Sequence, residues 1–487
     1  MKFIIAASVL VLYVTISSVL YAKESDYLQK CWKQQGEALH EKYFLLSFHE
    51  TINRLYHSMA PWQTYGTAPF GTLWINAHSF FKHDTIRGKK ADRFATTEFD
   101  LHDLLMTDFG DTSLASVTQR DVQEYTFESV RYHPAILLHY FLEHHITTGK
   151  ESSAEIAIYK TTIGKTAVSL FIRKKDCLLD KVTLLASEDI LGDVLTIFHY
   201  DRYSVAGTLR YANAIYVEKK NGMVRDTVNI TSAEITSEPL KLLKKPVGFT
   251  AKSDAEPTAD SITVEKFSDH IHIVTFKHAD SKAMIVEFDK YLLVAESPLT
   301  SANGESLIRA AKDIALQKPI KYFAFGHWHP WYLGGVRPFI HHGAHIICAE
   351  CDSDYIEYIA KAQHTLEPDI LQREPKALQT EKLNDSLTIS DGHYSMTIYL
   401  IGKESDHTQD YSIFYFPQEK MVFEGDLAWI KKDAALAKAS SRQAGLYNAI
   451  RKRNLDVSTV IQSWPAVKYN LKSVFSFSDL EASMKVN

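Results

Sequence analysis

The spacing of hydrophobic residues changes from one part of the chain to the next. Between about residues 152 and 240, apolar and polar residues alternate in short runs that are separated by turns rich in Gly, Asn and Lys. The clearest runs are Ala154–Tyr159, Thr166–Phe171, Lys181–Leu185, Val194–Phe198 and Asp226–Ile230. Alternation with a period of two is typical of strands with one buried face. The pattern predicts an antiparallel β-sheet domain of about six strands over residues 151–245.

The region before this sheet has a different pattern. Apolar residues occur at mixed helical spacing in Asp26–Tyr56 and in Val122–His145, where Val130, Ile136 and Leu137 are examples. This spacing predicts a mostly helical N-terminal region over residues 23–150. A stretch with Pro257 and several small and charged residues, Pro246–Ser261, is the best candidate for a linker. With 487 residues, we expect two or three domains.

The first residues have the composition of a targeting segment. Met1-Lys2 precedes an uncharged apolar stretch from Phe3 to Tyr21, and Ala22 follows it. This predicts a signal peptide over residues 1–22, and hence an exported protein, periplasmic or secreted. The apolar stretch is long for a cleaved segment, so an N-terminal membrane anchor is the alternative. A membrane is an expected partner only if the segment is not cleaved.

The C-terminal half mixes strand and helix patterns. Strands are predicted at Ile271–Phe276, Met284–Phe288, Tyr291–Pro298 and Tyr322–Phe325, and a helix is predicted at Gly304–Ala315. The last strand runs into Gly326-His327-Trp328-His329-Pro330, and paired glycines follow at 334 and 335. Two histidines at positions i and i+2 of an extended segment can point the same way and bind one metal ion. In a chain with 22 histidines, however, an isolated pair is usually an ordinary surface or core feature.

A second motif lies downstream. Asp406-His407-Thr408 precedes a predicted strand, Tyr411–Phe416, and the next strand ends in Gly425-Asp426. An H-x-H turn before paired glycines, a lone His before a strand and Gly-Asp after the next strand occur here in the order that resembles the metallo-β-lactamase superfamily. The resemblance covers about residues 258–487. It implies an α+β fold in which that domain is an αββα sandwich, preceded by the antiparallel sheet domain and the helical N-terminal region.

The departures from the family pattern fall on one of its two metal ions. Where relatives have Asp and His after the second histidine, this chain has Trp331 and Tyr332, and Ser463-Trp464-Pro465 replaces a C-terminal Gly-His-Gly. In two-metal relatives those positions bind the second ion. The resemblance therefore implies an intact first site of three metal ligands, His327, His329 and His407, with Asp426 as the only remaining ligand of the second. We expect about one metal ion per chain, zinc or another divalent metal.

Three imidazoles and a water make a sufficient catalytic zinc site, in which the pKa of the water falls to about 7. The catalytic residue implied here is Asp426, which could orient that water or act as a fourth ligand. The sequence thus predicts a metal-dependent hydrolase that uses a single-metal-bound water on a small-molecule substrate of unknown class. The alternative is a catalytically inactive, exported binding protein that retains the fold.

Four aromatic residues lie in or near the altered motifs. Trp328, Trp331, Tyr332 and Trp464 could form a substrate-binding wall, or they could fill the volume left by a lost metal and its ligands. The net charge of −5 with interspersed signs gives no basic surface of the kind that nucleic acid requires, so no nucleic-acid partner is expected. The sequence leaves the oligomeric state open.

Overall fold

The computed structural model describes residues 27–56, 58–88, 91–100, 105–108, 119–147, 149, 151–244, 260–467 and 469–486. The predicted signal or anchor over residues 1–22 and nearly all of the predicted linker lie outside these residues. Within them, no helix is long and apolar enough to cross a membrane. The chain forms two compact units: the first falls within Met1–Asn53, Tyr65–Ala186 and Val194–Glu256, and the second within Arg54–Thr64, Ser187–Asp193 and Pro257–Asn487.

The first unit is built on one large sheet. Its strands are β1 (Tyr43–Arg54), β2 (Tyr65–Thr67), β3 (Phe70–Ile75), β4 (Ser79–Ile86), β5 (Arg93–Asp100), β6 (Leu105–Asp108), β7 (Ile156–Ile163), β8 (Thr166–Arg173), β9 (Leu179–Glu188), β10 (Gly192–Ala206), β11 (Leu209–Lys219) and β12 (Val224–Thr236). Their order is β6-β5-β4-β3-β1-β12-β11-β10-β9-β8-β7, and β2 pairs with β1. Consecutive strands that are joined by short turns pair antiparallel, as β7 and β8 do.

The prediction of a mostly helical region over residues 23–150 is wrong. The described helices there are α1 (residues 27–35), α2 (Gln119–Val130) and α3 (Ala135–Glu143), and most of the remainder is strand. In β1 every second side chain is buried from Phe44 to Glu50, which is the period of a strand. β1 also pairs with β12, Phe44 opposite Ile235. The predicted strands of residues 151–245 are present as β7–β12, but they continue the sheet of the preceding region.

A buried ionic network lies behind this sheet. The Arg131 guanidinium, at the end of α2, is 2.8 Å from Asp226 Oδ2 and 3.4 Å from Glu50 Oε2. The Tyr132 hydroxyl donates a hydrogen bond to Glu50 Oε1 at 2.9 Å. A buried charge is tolerated where it is paired and hydrogen-bonded. The network therefore connects the end of α2 to both β1 and β12.

The second unit contains two sheets. The seven-stranded sheet has the order β13 (Ile262–Lys266), β14 (Ile271–Phe276), β15 (Ser281–Glu287), β16 (Leu292–Ala295), β17 (Ile320–Ala324), β18 (His345–Ala349) and β19 (Gln379–Leu383). The six-stranded sheet has the order β20 (Ser386–Ser390), β21 (Ser395–Leu400), β22 (Ser412–Phe416), β23 (Met421–Glu424), β24 (Thr459–Gln462) and β25 (Val474–Ser476). β16 to β19 are parallel, as are β23 and β24, and the other neighbours are antiparallel.

Most helices of the second unit lie between its strands in sequence. The helices of this unit are α4 (Ser301–Ile314), α5 (Pro330–Leu333), α6 (Val336–His341), α7 (Ser353–Lys361), α8 (Ile370–Arg373), α9 (Ser441–Lys452) and α10 (Phe477–Met484), with 3₁₀ turns at Glu37–Leu39 in the first unit and Glu350–Asp352 and Gly402–Ser405 in the second.

Two apolar layers hold the second unit together. Between the sheets, Met284 and Leu293 share one core with Met396 and Phe414. Outside the six-stranded sheet, side chains of α9 and α10 pack on β22–β25. On the other side, Phe339 of α6 stacks on Phe323 of β17 with ring centroids 4.4 Å apart. The predicted α+β class and αββα sandwich are confirmed.

Candidate metal centre

The H-x-H turn leaves the carboxyl end of β17. Pro330 is the first residue of α5, where a fixed φ suits a helix start and the missing N–H costs nothing. His327 Nε2 lies 3.0 Å from His329 Nδ1, and His329 Nε2 lies 3.3 Å from the Ser58 carbonyl oxygen. Both histidines are buried. The turn therefore directs both imidazoles to one enclosed place.

Close packing explains the glycines around this turn. A Cβ at Gly326 would be 2.8 Å from Glu296 Oε1, and one at Gly335 would be 2.1 Å from Ser297 Oγ. At Gly335 the Thr300 carbonyl oxygen would also lie 2.7 Å away, so the segment after β16 excludes a Cβ there, whereas at Gly326 the close atom is the end of the Glu296 side chain. The glycines thus allow the Glu296 segment to support the H-x-H turn from behind.

His407 comes from the loop before β22. The 3₁₀ turn Gly402–Ser405 ends at Asp406, which reverses the chain with a φ of 52°. The N–H of His407 then donates to Ser405 Oγ at 3.1 Å. The ring centroid of His407 is 4.8 Å from that of His327 and 5.0 Å from that of His329. One nitrogen of each of the three buried histidines lies within 4.8 Å of the others.

Two hydrogen bonds join the loops that carry these histidines. The N–H of Trp328 donates to Asp410 Oδ2 at 2.6 Å, and the N–H of Ser412 donates to the Gly326 carbonyl at 2.7 Å. Burial raises the pKa of the Asp410 carboxyl, which also interacts with the buried Asp352 carboxyl. Residues about 80 positions apart are therefore held in fixed register around the histidines.

Asp426 follows β23 and faces His407. Its Oδ2 lies 3.2 Å from His407 Nε2 and 3.3 Å from Arg442 Nη1, and its N–H donates to the Tyr411 hydroxyl at 2.8 Å. Burial acts to raise the pKa of Asp426, but the interactions with His407 and Arg442 outweigh it and the pKa is lowered. The carboxylate is ionised and can accept a proton or a hydrogen bond.

The sequence patterns do not predict several residues of the centre. Arg442 projects from α9, and Tyr411 donates to Glu424 Oε2 at 2.9 Å. Burial raises the pKa of Glu424 to about 8 and that of Glu296 well above its ordinary value. A carboxyl inside an otherwise apolar strand, as in Met-Val-Phe-Glu before Gly425, is a signal that could have identified Glu424. Nothing near Arg442 in the sequence indicates its position.

The four predicted aromatic residues fall into two pairs. Trp328 and Tyr332 are fully enclosed, and the Tyr332 ring centroid is 4.0 Å from that of His327. Trp331 and Trp464 are partly exposed and lie with ring centroids 5.4 Å apart. The N–H of Trp464 also donates to the Gly425 carbonyl, next to Asp426, at 3.0 Å. Aromatic side chains thus converge beside the histidines from widely separated positions.

The histidine group fits a divalent transition metal. Ligands of tetrahedral zinc lie about 3.3 Å from one another when the zinc–nitrogen distance is about 2.0–2.1 Å. His327 and His329 are already near that spacing at 3.0 Å, and His407 lies within 4.8 Å. Three imidazoles with a neighbouring carboxylate are a donor set that suits zinc. The arrangement is compatible with one such ion.

Comparison with known proteins gives similarities at the level of structure. No family model and no curated protein matches the chain. A metallo-β-lactamase structure from Pontibacter korlensis is 20% identical over 46% of this chain and 98% of its own, with a TM-score of 0.34. FIM-1 from Pseudomonas aeruginosa in its mono-zinc form is 19% identical over 47% and 96%, with a TM-score of 0.34. A metallo-β-lactamase from Hirschia baltica is 18% identical over 46% and 96%, with a TM-score of 0.33.

Proposed function

We propose that this protein is a metal-dependent hydrolase that binds one zinc ion through His327, His329 and His407. The observation that carries the proposal is that three buried imidazoles from two distant loops meet with a nitrogen each within 4.8 Å, and that the Asp426 carboxylate lies 3.2 Å from His407. Buried imidazoles are desolvated at a cost, so a group of three with an ionised carboxylate beside it is typical of a binding site.

Asp426 is the proposed catalytic residue. A bound divalent ion supplies Lewis acidity, which makes a neighbouring water more acidic. Asp426 Oδ2 faces the histidine group, so it is placed to accept a hydrogen bond from that water and to take its proton. The backbone N–H of Asp426 donates a hydrogen bond to the Tyr411 hydroxyl, and Arg442 contacts the carboxylate. These two interactions hold the carboxylate in this orientation. Burial raises the pKa of the neighbouring Glu424 carboxyl, which opposes a second full negative charge beside Asp426.

We propose that the Arg442 guanidinium takes the place of the second metal ion of two-metal relatives. Its guanidinium touches the same Asp426 oxygen that faces His407, and its side chain is 37% exposed, so it can also reach a ligand. A fixed positive charge at this place can stabilise the negative charge that develops on a carbonyl or sulfonyl oxygen of the substrate. It can also pair with a substrate carboxylate. The enzyme would then need only one metal ion.

Trp331 and Trp464 are the proposed substrate wall. They are the partly exposed pair, whereas the enclosed Trp328 and Tyr332 fill volume behind the histidines. An aromatic wall favours a substrate with a flat or apolar portion. An ester, amide, thioester or sulfate ester with such a group is the substrate class to test.

Substitution Asp426→Asn tests the catalytic role. We expect hydrolysis of the best substrate from a panel of chromogenic esters, lactams, thioesters and sulfates to fall by about 10²- to 10⁴-fold, because the amide cannot accept the proton. Zinc content should stay near that of the unaltered protein. Asp433→Asn, an exposed carboxylate in the loop that follows, is the control and should change neither quantity. Unchanged turnover in Asp426→Asn would contradict the assignment.

A wild-type panel separates enzyme from binding protein. If zinc-loaded protein shows no turnover above zinc-free protein on the whole panel, the alternative of an inactive binding protein is favoured.

Substitution Arg442→Gln tests the second-cation role. We expect kcat to fall by about tenfold or more, since one preorganised positive charge is lost, while bound zinc is kept. Arg442→Lys should recover part of the rate. Arg451→Gln, on the same helix but paired with Glu481, is the matched control and should leave kcat unchanged. Loss of zinc together with activity would show that Arg442 serves the structure of the centre and not the reaction.

A further inference from the structure

The first unit contains a second group of three histidines. His40 follows the 3₁₀ turn Glu37–Leu39, His78 lies in the turn between β3 and β4, and His139 lies in α3. One nitrogen of each lies within 4.8 Å of the others. The group takes no part in the H-x-H pattern or in the proposed hydrolysis.

Two of the three ring pairs are as close as those of the candidate metal centre, and the third pair is more widely spaced. The centroid of His139 is 4.8 Å from that of His40 and 4.6 Å from that of His78, in both cases with nearly perpendicular planes. The His40 and His78 centroids are 5.9 Å apart. In the candidate metal centre the corresponding distances are 4.6, 4.8 and 5.0 Å. One nitrogen of each ring lies within 4.8 Å of the other two in both groups, and this spacing is compatible with three ligands of a single ion.

Backbone hydrogen bonds bring the three segments together. The N–H of Ala77 donates to the Leu39 carbonyl at 3.1 Å, which places the following residues, His78 and His40, side by side. The Asn76 side chain accepts the N–H of His78 at 2.8 Å and fixes the turn. The Trp32 ring packs 5.3 Å from the His139 ring and supports it from α1. The meeting of these rings is therefore built by the fold and does not depend on flexible side chains alone.

A carboxylate lies beside the three histidines, and the histidines differ in their exposure to solvent. Glu143 Oε2 lies 3.6 Å from His139 Nδ1. This separation is within ion-pair range but too long for a hydrogen bond, so Glu143 adds negative charge near the group, which favours a cation there. His139 is buried, His78 is half-buried and His40 is exposed. A metal ion here would be anchored from inside and would keep a position open to water or a further ligand.

We propose that His40, His78 and His139 form a second zinc site, separate from the candidate metal centre. Three imidazole nitrogens suit a borderline cation such as Zn²⁺, and a shift of about an ångström by the two outer rings would bring them to the zinc ligand spacing. The ion would join α3, the β3–β4 turn and the segment after α1 in the first unit. The chain then takes up two zinc ions, one in each unit, in place of the one ion per chain that the sequence predicts.

The test uses the full chain with the other centre removed. In a His327→Ala/His407→Ala protein, zinc titration against a chromogenic chelator should find one bound ion, and zinc should raise the Tm. Adding His40→Ala or His78→Ala should abolish both effects. These outer residues are chosen because their loss disturbs the core less than loss of His139. His49→Ala, an exposed histidine on β1, is the matched control and should keep the ion.

Three results would overturn this second site: no zinc bound by the double variant although its circular dichroism is native, full zinc binding after His40→Ala and His78→Ala together, or loss of zinc in the His49→Ala control. The hydrolase proposal is tested separately, by turnover on the substrate panel and by the zinc that is lost in His407→Ala. Either proposal can therefore fail without the other. In the otherwise unaltered chain, His40→Ala and His78→Ala should each lower zinc content by one ion and leave hydrolysis on the substrate panel unchanged.

Discussion

His407→Ala is expected to lower the zinc content by one ion per chain and to reduce hydrolysis by about 10³-fold or more, which corresponds to about 4 kcal/mol of transition-state stabilisation. The physical reason is that His327 and His329 come from one turn, and without His407 only two imidazoles and a carboxylate remain. Losing one ligand of three also removes the contact that lowers the pKa of Asp426. Elemental analysis after dialysis and steady-state kinetics on the best panel substrate measure the two effects.

The control for this substitution is His393→Ala, since His393 is an exposed histidine of the same unit. It should leave zinc and hydrolysis unchanged. If His407→Ala keeps the full zinc content, the pairing of the H-x-H turn with the loop before β22 does not form a metal centre, and the proposed function fails with it.

Arg337→Met is expected to destabilise the second unit by about 3–5 kcal/mol. Arg337 is 1% exposed, and its Nε and Nη2 lie 2.6 and 3.0 Å from the two Asp369 oxygens. Its Nη1 also donates to the carbonyl of Ile359 at 2.5 Å. Methionine replaces the volume but leaves a buried carboxylate and a carbonyl without their donor. Urea unfolding at pH 7 measures the loss, and Arg309→Met, which is exposed on α4, should cost little.

The same pair predicts how this loss depends on pH. Burial acts to raise the pKa of Asp369, but the Arg337 bond outweighs it and the folded pKa is lowered. A lowered folded pKa contributes stability that is present above the unfolded value of about 3.9 and is lost as pH falls through the folded pKa. The difference in unfolding free energy between the unaltered protein and Arg337→Met should therefore shrink below about pH 4. A difference that stays constant from pH 7 to pH 3 would contradict this account.

Local sequence determined most elements of the second unit. The predicted strand Ile271–Phe276 is β14 residue for residue, and the helix predicted from Gly304 is α4. The strand is buried on both faces and the helix along one stripe. Their hydrophobic patterns are therefore visible within a few neighbouring residues of the sequence. The resemblance supplied the order of His327, His329, His407 and Asp426, and the fold brings these four residues together.

Tertiary pairing decided the rest. The sequence pattern predicts helix at β1 because Tyr43–Arg54 contains Leu and Phe in positions that fit both periods. Its pairing with β12, nearly 200 residues away, selects the strand. Tertiary structure also explains why the sequence does not predict a role for Arg442 or for the group of His40, His78 and His139. Their chemistry depends on neighbours that no local pattern encodes. Only in the folded chain does Arg442 contact Asp426, and only there do the three histidines lie close together.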